Sequence, residues 1–278
     1  MTTSMPVAGS ACASDGTPLV WKRQCISYSV APRSHSTTPT LGELRDLVDR
    51  SFRTWSDVTC SGQPLALSLA QSAELSMCDK PEYNATAGNA NTVLFVTDWQ
   101  ARKLPAEAFG LTMVWHDSRT GEIVDADMQL NETLGTLAIC KQRCAQAEVD
   151  LQNIITHEAG HFLGLGHSQE RTACMFGQAL VGETSKRFLS LDDETGICAT
   201  YAQLSQPKCA VSDYAPENGF SATCATLTAP QQQAQSCSCH TLGAERRAPR
   251  AHGWLAMLTG ALWLVHRWLR HRRAHDSS

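Results

Sequence analysis

The segment HEAGHFLGLGH, from His157 to His167, constrains the fold of this 278-residue chain more than any other feature. His157 and His161 are four residues apart, so a helix would project both imidazoles from one face. Gly164 can adopt a positive φ, which would end that helix and turn the chain sharply toward His167. Three neutral imidazoles and one open position are a ligand set used by hydrolytic zinc ions. The spacing therefore predicts a catalytic Zn²⁺ held by His157, His161 and His167.

Glu158 stands beside the first of these ligands and would face a zinc-bound water rather than the metal. Zinc lowers the pKa of its bound water toward about 7, and a nearby carboxylate can then accept the proton. The same carboxylate can return that proton to a leaving amine. The alternative interpretation is an amphipathic helix with incidental histidines. It is weaker because residues 1–239 contain only two further histidines, His35 and His116.

Hydrophobic spacing and capping residues predict three helices. Thr40 and Glu43 form a capping box for the first helix, whose apolar face extends to Trp55. The second helix is predicted over residues 148–163, and the third from Ser190 to Tyr201. Short strands are predicted at residues 25–30, 65–69, 92–97, 110–115 and 126–130. This order of elements predicts an α+β fold in which helices pack against a sheet.

Charge and cysteine content restrict the partners and the compartment. Residues 1–244 carry a formal charge of −9 and residues 245–278 a charge of +5, which together make the net −4. An acidic body argues against nucleic acid as a partner. The twelve cysteines include no Cys-x-x-Cys pair, which favours disulfides in an oxidising compartment over a zinc ribbon. Their pairing stays open, and buried reduced thiols are the less favoured alternative.

The pattern HExxHxxGxxH resembles the signature of the metzincin clan of zinc metalloproteases, and Ser168 after the third histidine resembles its matrixin branch. The resemblance covers roughly residues 18–203. It implies a Met-turn beneath the zinc, with Met175 as the matching residue. It also implies a zincin-like catalytic domain. This domain has a twisted, mostly parallel mixed sheet with an antiparallel edge strand, an active-site helix and a C-terminal helix.

The same resemblance implies hydrolysis of peptide bonds by a monomer whose partner is a protein or peptide substrate. An extended peptide would pair with the edge strand through main-chain hydrogen bonds. The residues that match this edge strand are Ala126, Asp127, Met128, Gln129 and Leu130.

Four residues depart from the family pattern or leave a metal in question. Only His116 lies where animal matrixins hold a second, structural zinc, so that site is not predicted. Phe176 stands where some metzincins place a tyrosine on zinc, so no fifth protein ligand is expected. Asp125 and Asp127 could help hold Ca²⁺, but nothing else supports it, and a solvated strand edge is the favoured interpretation.

The ends of the chain differ from its middle. Residues 1–17 are predicted to be a signal-peptide remnant or a disordered N-terminus, because Ala11-Cys12-Ala13 matches a cleavage pattern. Residues 18–205 form the predicted catalytic domain, and residues 206–240 a cysteine-containing linker. Residues 241–278 combine an apolar run with an arginine-rich end and resemble the sorting tails of myxobacterial surface proteins.

The tail would contact a membrane before processing, so the protein is predicted to be exported, at the cell surface or outside the cell. Its apolar run, Gly253 to Val265, has thirteen residues, fewer than the roughly 20 of a full span. An interfacial basic helix and a buried core helix are the alternative interpretations of this run.

Two other functions also stay open, namely an inactive surface-binding protein of the same fold and a zinc amidase acting on cell-wall material. The presence of Glu158 argues against the first, and a peptide-pairing strand argues against the second.

Overall fold

A computed structural model describes residues 17–32, 39–73, 76, 78–86, 88–216 and 235–241. The predictions for residues 1–16 and for residues 242–278 of the sorting tail lie outside these residues. Across the described ranges, no helix combines the length and the apolar character that a membrane crossing requires.

The predicted helices are present, with one change of boundary. Thr40 and Glu43 form the predicted capping box, and Ser190 caps the third helix in the same way through Asp193. The second helix begins later than predicted because residues 148–150 form a short strand and Asp150 is the N-cap, accepting from the Asn153 N–H at 3.0 Å. The helices are α1 (Leu41–Ser56), α2 (Leu151–Phe162) and α3 (Leu191–Tyr201), with 3₁₀ turns at Ser185–Arg187 and Val211–Tyr214.

Seven strands form the main sheet, and four short strands form two separate pairs. The strands are β1 (Cys25–Val30), β2 (Thr59–Cys60), β3 (Gln63–Pro64), β4 (Ser68–Gln71), β5 (Thr92–Val96), β6 (Ala108–His116), β7 (Ile123–Asn131), β8 (Thr136–Ala138), β9 (Glu148–Asp150), β10 (Gln178–Ala179) and β11 (Gln235–Thr241). The order in the main sheet is β10-β11-β6-β7-β5-β1-β4. Strands β4, β1, β5 and β7 are parallel, whereas β6 is antiparallel to β7. The predicted α+β fold with a mixed sheet and an antiparallel strand is therefore confirmed.

The position of the antiparallel strand corrects the sequence prediction. Residues Ala126 to Leu130 lie in β7, which pairs with β5 on one side and β6 on the other. They are not an edge strand, and the antiparallel strand is β6. The segment 235–240, predicted as linker, is also part of the sheet, because β11 pairs with the outer side of β6.

The core lies between the sheet and the two long helices. On α1 the buried side chains are Leu44, Leu47, Val48, Ser51, Phe52 and Trp55. Phe52 stacks on Tyr28 of β1 with ring centroids 3.9 Å apart, and meets Phe162 of α2 edge-on at 5.0 Å. Trp55 donates from Nε1 to the Thr156 carbonyl at 2.7 Å. These contacts fix α2 in the interior, where nearly all of its residues are buried.

Disulfides fasten the periphery to this core. Cys25 of β1 is bonded to Cys209, and Cys60 of β2 to Cys198 of α3, across sequence separations of 184 and 138 residues. In the chain-entropy model each such bond stabilises the folded state by roughly 5 kcal/mol. A third bond joins Cys140 to Cys144 in the loop before β9. Disulfide formation is thus as predicted, with a pairing that the sequence left open.

Candidate metal centre

The metal centre is built on α2, whose start is anchored by an ion pair. Asp150 is fully buried and binds the Arg187 guanidinium through both carboxylate oxygens, at 2.6 and 2.7 Å. A bidentate ion pair of this kind fixes the relative orientation of the two side chains as well as the distance between them. Because the helix is packed on all sides, its residues have little freedom to rotate about the axis.

The three predicted histidines converge at the end of this helix. The ring centroids of His157 and His161 are 4.8 Å apart, and His167 lies 5.3 Å from the first and 4.8 Å from the second. One ligand atom from each residue lies within 4.8 Å of the others, and the Nε2 atoms of His161 and His167 are 3.2 Å apart. Three nitrogens at these separations can bind one ion.

Backbone carbonyls set which nitrogen faces the metal. The Nδ1 atoms of His157 and His161 lie 2.6 Å from the Cys174 carbonyl and 2.8 Å from the Leu165 carbonyl. A carbonyl only accepts, so each Nδ1 carries the proton and each Nε2 presents its lone pair. His157 Nε2 is buried with no hydrogen-bond partner among the described residues. A metal ion would satisfy that atom, so the donor set fits zinc.

The surroundings of His157 and His161 favour the neutral form of both imidazoles. Burial lowers the pKa of His157 well below its usual range, and the neighbouring His161 and His167 rings lower it further. Burial and His167 act in the same direction on the pKa of His161. Neutral imidazole is the form that binds metal, so neither residue has to lose a proton at neutral pH.

Gly164 makes the turn that brings the third histidine back. Its φ is +86°, and a Cβ there would lie 2.4 Å from the Leu19 carbonyl oxygen. The Gly164 N–H donates to the His161 carbonyl at 2.9 Å and the Leu165 N–H to the Gly160 carbonyl at 2.9 Å, which is a Schellman motif. This motif also aims the Leu165 carbonyl at His161.

Met175 packs against Gly160, which lies between His157 and His161 on α2, and it belongs to a turn that is held from two sides. The buried Asp193 carboxylate accepts from the Cys174 and Met175 N–H groups at 2.7 and 2.9 Å. On the other side the buried Lys186 ammonium donates to the carbonyls of Ala173 and Cys174 at 3.3 Å and of Phe176 at 2.7 Å. The carboxylate binds the N–H groups of the turn and the ammonium binds its carbonyls, and together they fix the orientation of its peptide planes.

Two glycines give this arrangement its close packing. A Cβ on Gly160 would lie 2.2 Å from Met175 Sδ and 2.8 Å from Trp55 Cζ2. A Cβ on Gly177 would lie 2.7 Å from His167 Nδ1. The turn therefore sits directly against the helix and the third histidine, at a distance that no side chain would allow.

Glu158 points toward β6. The Thr112 hydroxyl donates to Glu158 Oε2 at 2.7 Å, and a Cβ on Gly110 would lie only 2.7 Å from Oε1. The carboxylate is fully buried. The Thr112 hydroxyl therefore fixes the orientation of the Glu158 carboxylate. Sequence reasoning missed Thr112 and Gly110, as it missed Lys186 and the role of Asp193.

The predicted solvated strand edge at Asp125 and Asp127 is wrong, because both side chains are buried. The Asp127 carboxylate accepts from the N–H groups of Glu82 and Thr92, each at 2.8 Å, and burial raises its pKa. It thereby holds the segment before β5 against the sheet. Within the described ranges, the only groups with metal-ligand geometry are the three histidines and Cys140, Cys144 and Asp150. Cys140 and Cys144 form a disulfide, and Asp150 is the buried partner of Arg187.

Comparison with known proteins agrees with this geometry. The family model described as Matrixin (peptidase M10) matches residues 20–202. Metalloendoproteinase 1-MMP of Arabidopsis thaliana is 25% identical over 183 residues, which are 65% of this chain and 44% of that protein. Metalloendoproteinase 2-MMP of the same plant is 28% identical over 181 residues, 64% of this chain and 41% of that protein. The matches thus span less than half the length of these relatives.

Proposed function

The chain belongs to the matrixin family, and from that premise we propose that it is a zinc-dependent endopeptidase acting on extracellular proteins. The observation that carries the proposal is the set of three histidines around the buried, unpartnered His157 Nε2. His157, His161 and His167 would hold the ion. Bound zinc supplies a Lewis acid that lowers the pKa of water toward about 7 and polarises the scissile carbonyl.

Side chains of the protein would transfer the proton of the attacking water. Glu158 accepts a proton from the attacking water and passes it to the amide nitrogen as the C–N bond breaks. The Thr112 hydroxyl on Oε2, at 2.7 Å, holds the carboxylate in one orientation through both transfers. The carbonyls of Cys174 and Leu165 keep the imidazoles of His157 and His161 turned toward the metal. Met175, packed against Gly160 of α2, would support the site from below.

The experiment is hydrolysis of casein by the zinc-loaded full chain, with and without a chelator, beside Glu158→Gln. We expect the chelator to abolish cleavage and the substitution to lower kcat by about 10²–10⁴-fold, while zinc content stays at one ion. Glu194→Gln, at an exposed position on α3, is the matched control and should retain full activity.

Three outcomes would contradict the proposal. Cleavage that survives both the chelator and Glu158→Gln would refute the mechanism. Zinc binding without cleavage of any protein would favour a binding module. Cleavage of cell-wall material alone would favour an amidase.

We also propose that the protein is exported and displayed at the cell surface or released. The disulfides of the described residues support an oxidising compartment. In this proposal residues 241–278 act as a sorting tail. Detection of the full-length and shortened chain on the cell surface and in the medium tests it, and retention of the chain inside the cell would contradict it.

A further inference from the structure

A strand from beyond the family match lies along β6. Strand β11 pairs antiparallel with β6, from Gln235 opposite Val114 to His240 opposite Ala108. On its other side it pairs parallel with β10, where Gln178 is opposite His240. The slot between β6 and β10 is therefore filled by a segment of the same chain.

The register places this segment beside the metal centre. Cys239 is opposite Gly110 and Cys237 is opposite Thr112. Gly110 and Thr112 are the two β6 residues that adjoin the Glu158 carboxylate. The other wall of the slot, β10, directly follows Gly177, which adjoins His167. Both walls thus border residues of the proposed active site.

We propose that this slot is a strand-binding groove and that residues 235–241 occupy it as an intramolecular competitor, holding the enzyme in an autoinhibited state. The proposal rests on the proposed endopeptidase function. Main-chain pairing supplies the affinity in such grooves, so one backbone can replace another without sequence similarity. Each side of a strand pairs with only one neighbour, and β6 already has β7 on its inner side. A substrate strand could pair with β6 only after β11 has left.

The composition and tethering of the segment suit this role. The sequence QSCSCHT has no proline, so every residue carries an N–H for pairing, and it has no charged Asp, Glu, Lys or Arg. Eighteen residues separate Pro216 from Gln235, and Cys209 just before them is bonded to Cys25 of the sheet. Short tethers give effective concentrations on the order of 1 mM. A segment whose dissociation constant as a free peptide is about 0.1 mM would then raise the apparent KM about tenfold.

The test is Ser238→Pro in the zinc-loaded full chain, with Ser238→Ala as the matched control. Ser238 is opposite Leu111 in the middle of the pairing. Proline removes the N–H and fixes φ, which disrupts a strand, whereas alanine keeps the backbone unchanged. With a fluorogenic peptide substrate, we expect Ser238→Pro to lower KM about tenfold at unchanged kcat. Ser238→Ala should behave as the wild type. Equal KM values for the two variants would overturn the proposal.

A second measurement separates this inference from the proposed function. Amide hydrogen exchange of β6 is compared in the two variants, each also carrying Glu158→Gln to prevent self-cleavage. We expect faster exchange in the Ser238→Pro chain only, at the alternate residues within 108–114 whose N–H groups face β11, because those amides lose their hydrogen-bond partner while the amides facing β7 keep theirs. Unchanged exchange would overturn the assignment of β11 to the groove whatever the activity. If exchange increases but neither variant with intact Glu158 cleaves any peptide, the endopeptidase function fails and the groove assignment stands.

Discussion

Gly160 offers a quantitative test of the packing beneath the metal centre. It lies between His157 and His161, and a Cβ there would lie 2.2 Å from Met175 Sδ and 2.8 Å from Trp55 Cζ2. Trp55 is fully buried and its Nε1 is bonded to the Thr156 carbonyl, so the ring cannot retreat. Met175 is held through its N–H by Asp193. Gly160→Ala must therefore displace the turn, the helix or both.

Two opposed effects set the change in the free energy of unfolding that Gly160→Ala causes. Alanine in a helix interior is favoured over glycine by about 1 kcal/mol. Overpacking a tight core costs about 1–3 kcal/mol. Gly196→Ala on α3 is the matched control, because its nearest neighbour would be Leu165 Cδ2 at an ordinary 3.8 Å. The propensity gain is shared by the two variants, so we expect Gly160→Ala to be less stable than Gly196→Ala by about 1–3 kcal/mol.

The assay is urea unfolding of both variants without zinc, at matched m-values. Zinc affinity is then measured by competition with a chelator. We expect weaker binding in Gly160→Ala alone, because displacement of Met175 also moves the Cys174 carbonyl that orients His157. Equal unfolding free energies for the two variants would refute the packing argument. If Gly160→Ala loses the expected stability but binds zinc as tightly as Gly196→Ala, the link from the turn to His157 is refuted.

Three further predictions concern the surrounding residues. Gly110→Ala should lower kcat at least about tenfold at unchanged zinc content, because the new methyl displaces the Glu158 carboxylate; metal analysis beside steady-state kinetics measures this. Asp193→Asn should cost about 2–4 kcal/mol in urea unfolding by weakening its charged hydrogen bonds to the turn, and a change under 0.5 kcal/mol would count against that role. The zinc-free protein should lose stability as pH falls below about 6.5, since unfolded His157 and His161 bind protons while burial lowers their folded pKa values. Stability is retained above that pH, and a double His157→Gln/His161→Gln variant measured across the same range should lose the slope.

Features set by short-range interactions were predictable from the sequence. The capping box at Thr40 and Glu43 needs only residues three apart, and it is present. The three histidines and Gly164 lie within eleven residues, so helix geometry and a glycine turn suffice to bring them together. The start of α2 was misjudged by three residues, because Asp150 serves as its N-cap and residues 148–150 pair with β8.

Features set by long-range pairing could not be predicted in the same way. Strands β6 and β7 have nine residues each and are almost equally buried, so nothing local indicates which of the two pairs with β5. Asp127 suggested a solvated edge, but its buried carboxylate binds N–H groups 35 and 45 residues away. Thr112 reaches Glu158 across 46 residues, and Lys186 reaches the Met175 turn from a separate 3₁₀ turn. Such partners become visible only when the chain is folded.

The disulfide between Cys25 and Cys209 has a consequence for an enzyme exposed to its own activity. It closes a loop across 184 residues that contains the metal centre. A single cut anywhere inside that loop leaves two pieces that remain covalently joined, and any cut between Cys60 and Cys198 leaves them joined by at least two disulfides. In denaturing electrophoresis, nicked molecules would migrate as one species until the disulfides are reduced. Self-cleavage in a surface loop would therefore change the number of chain ends without releasing either half of the active site.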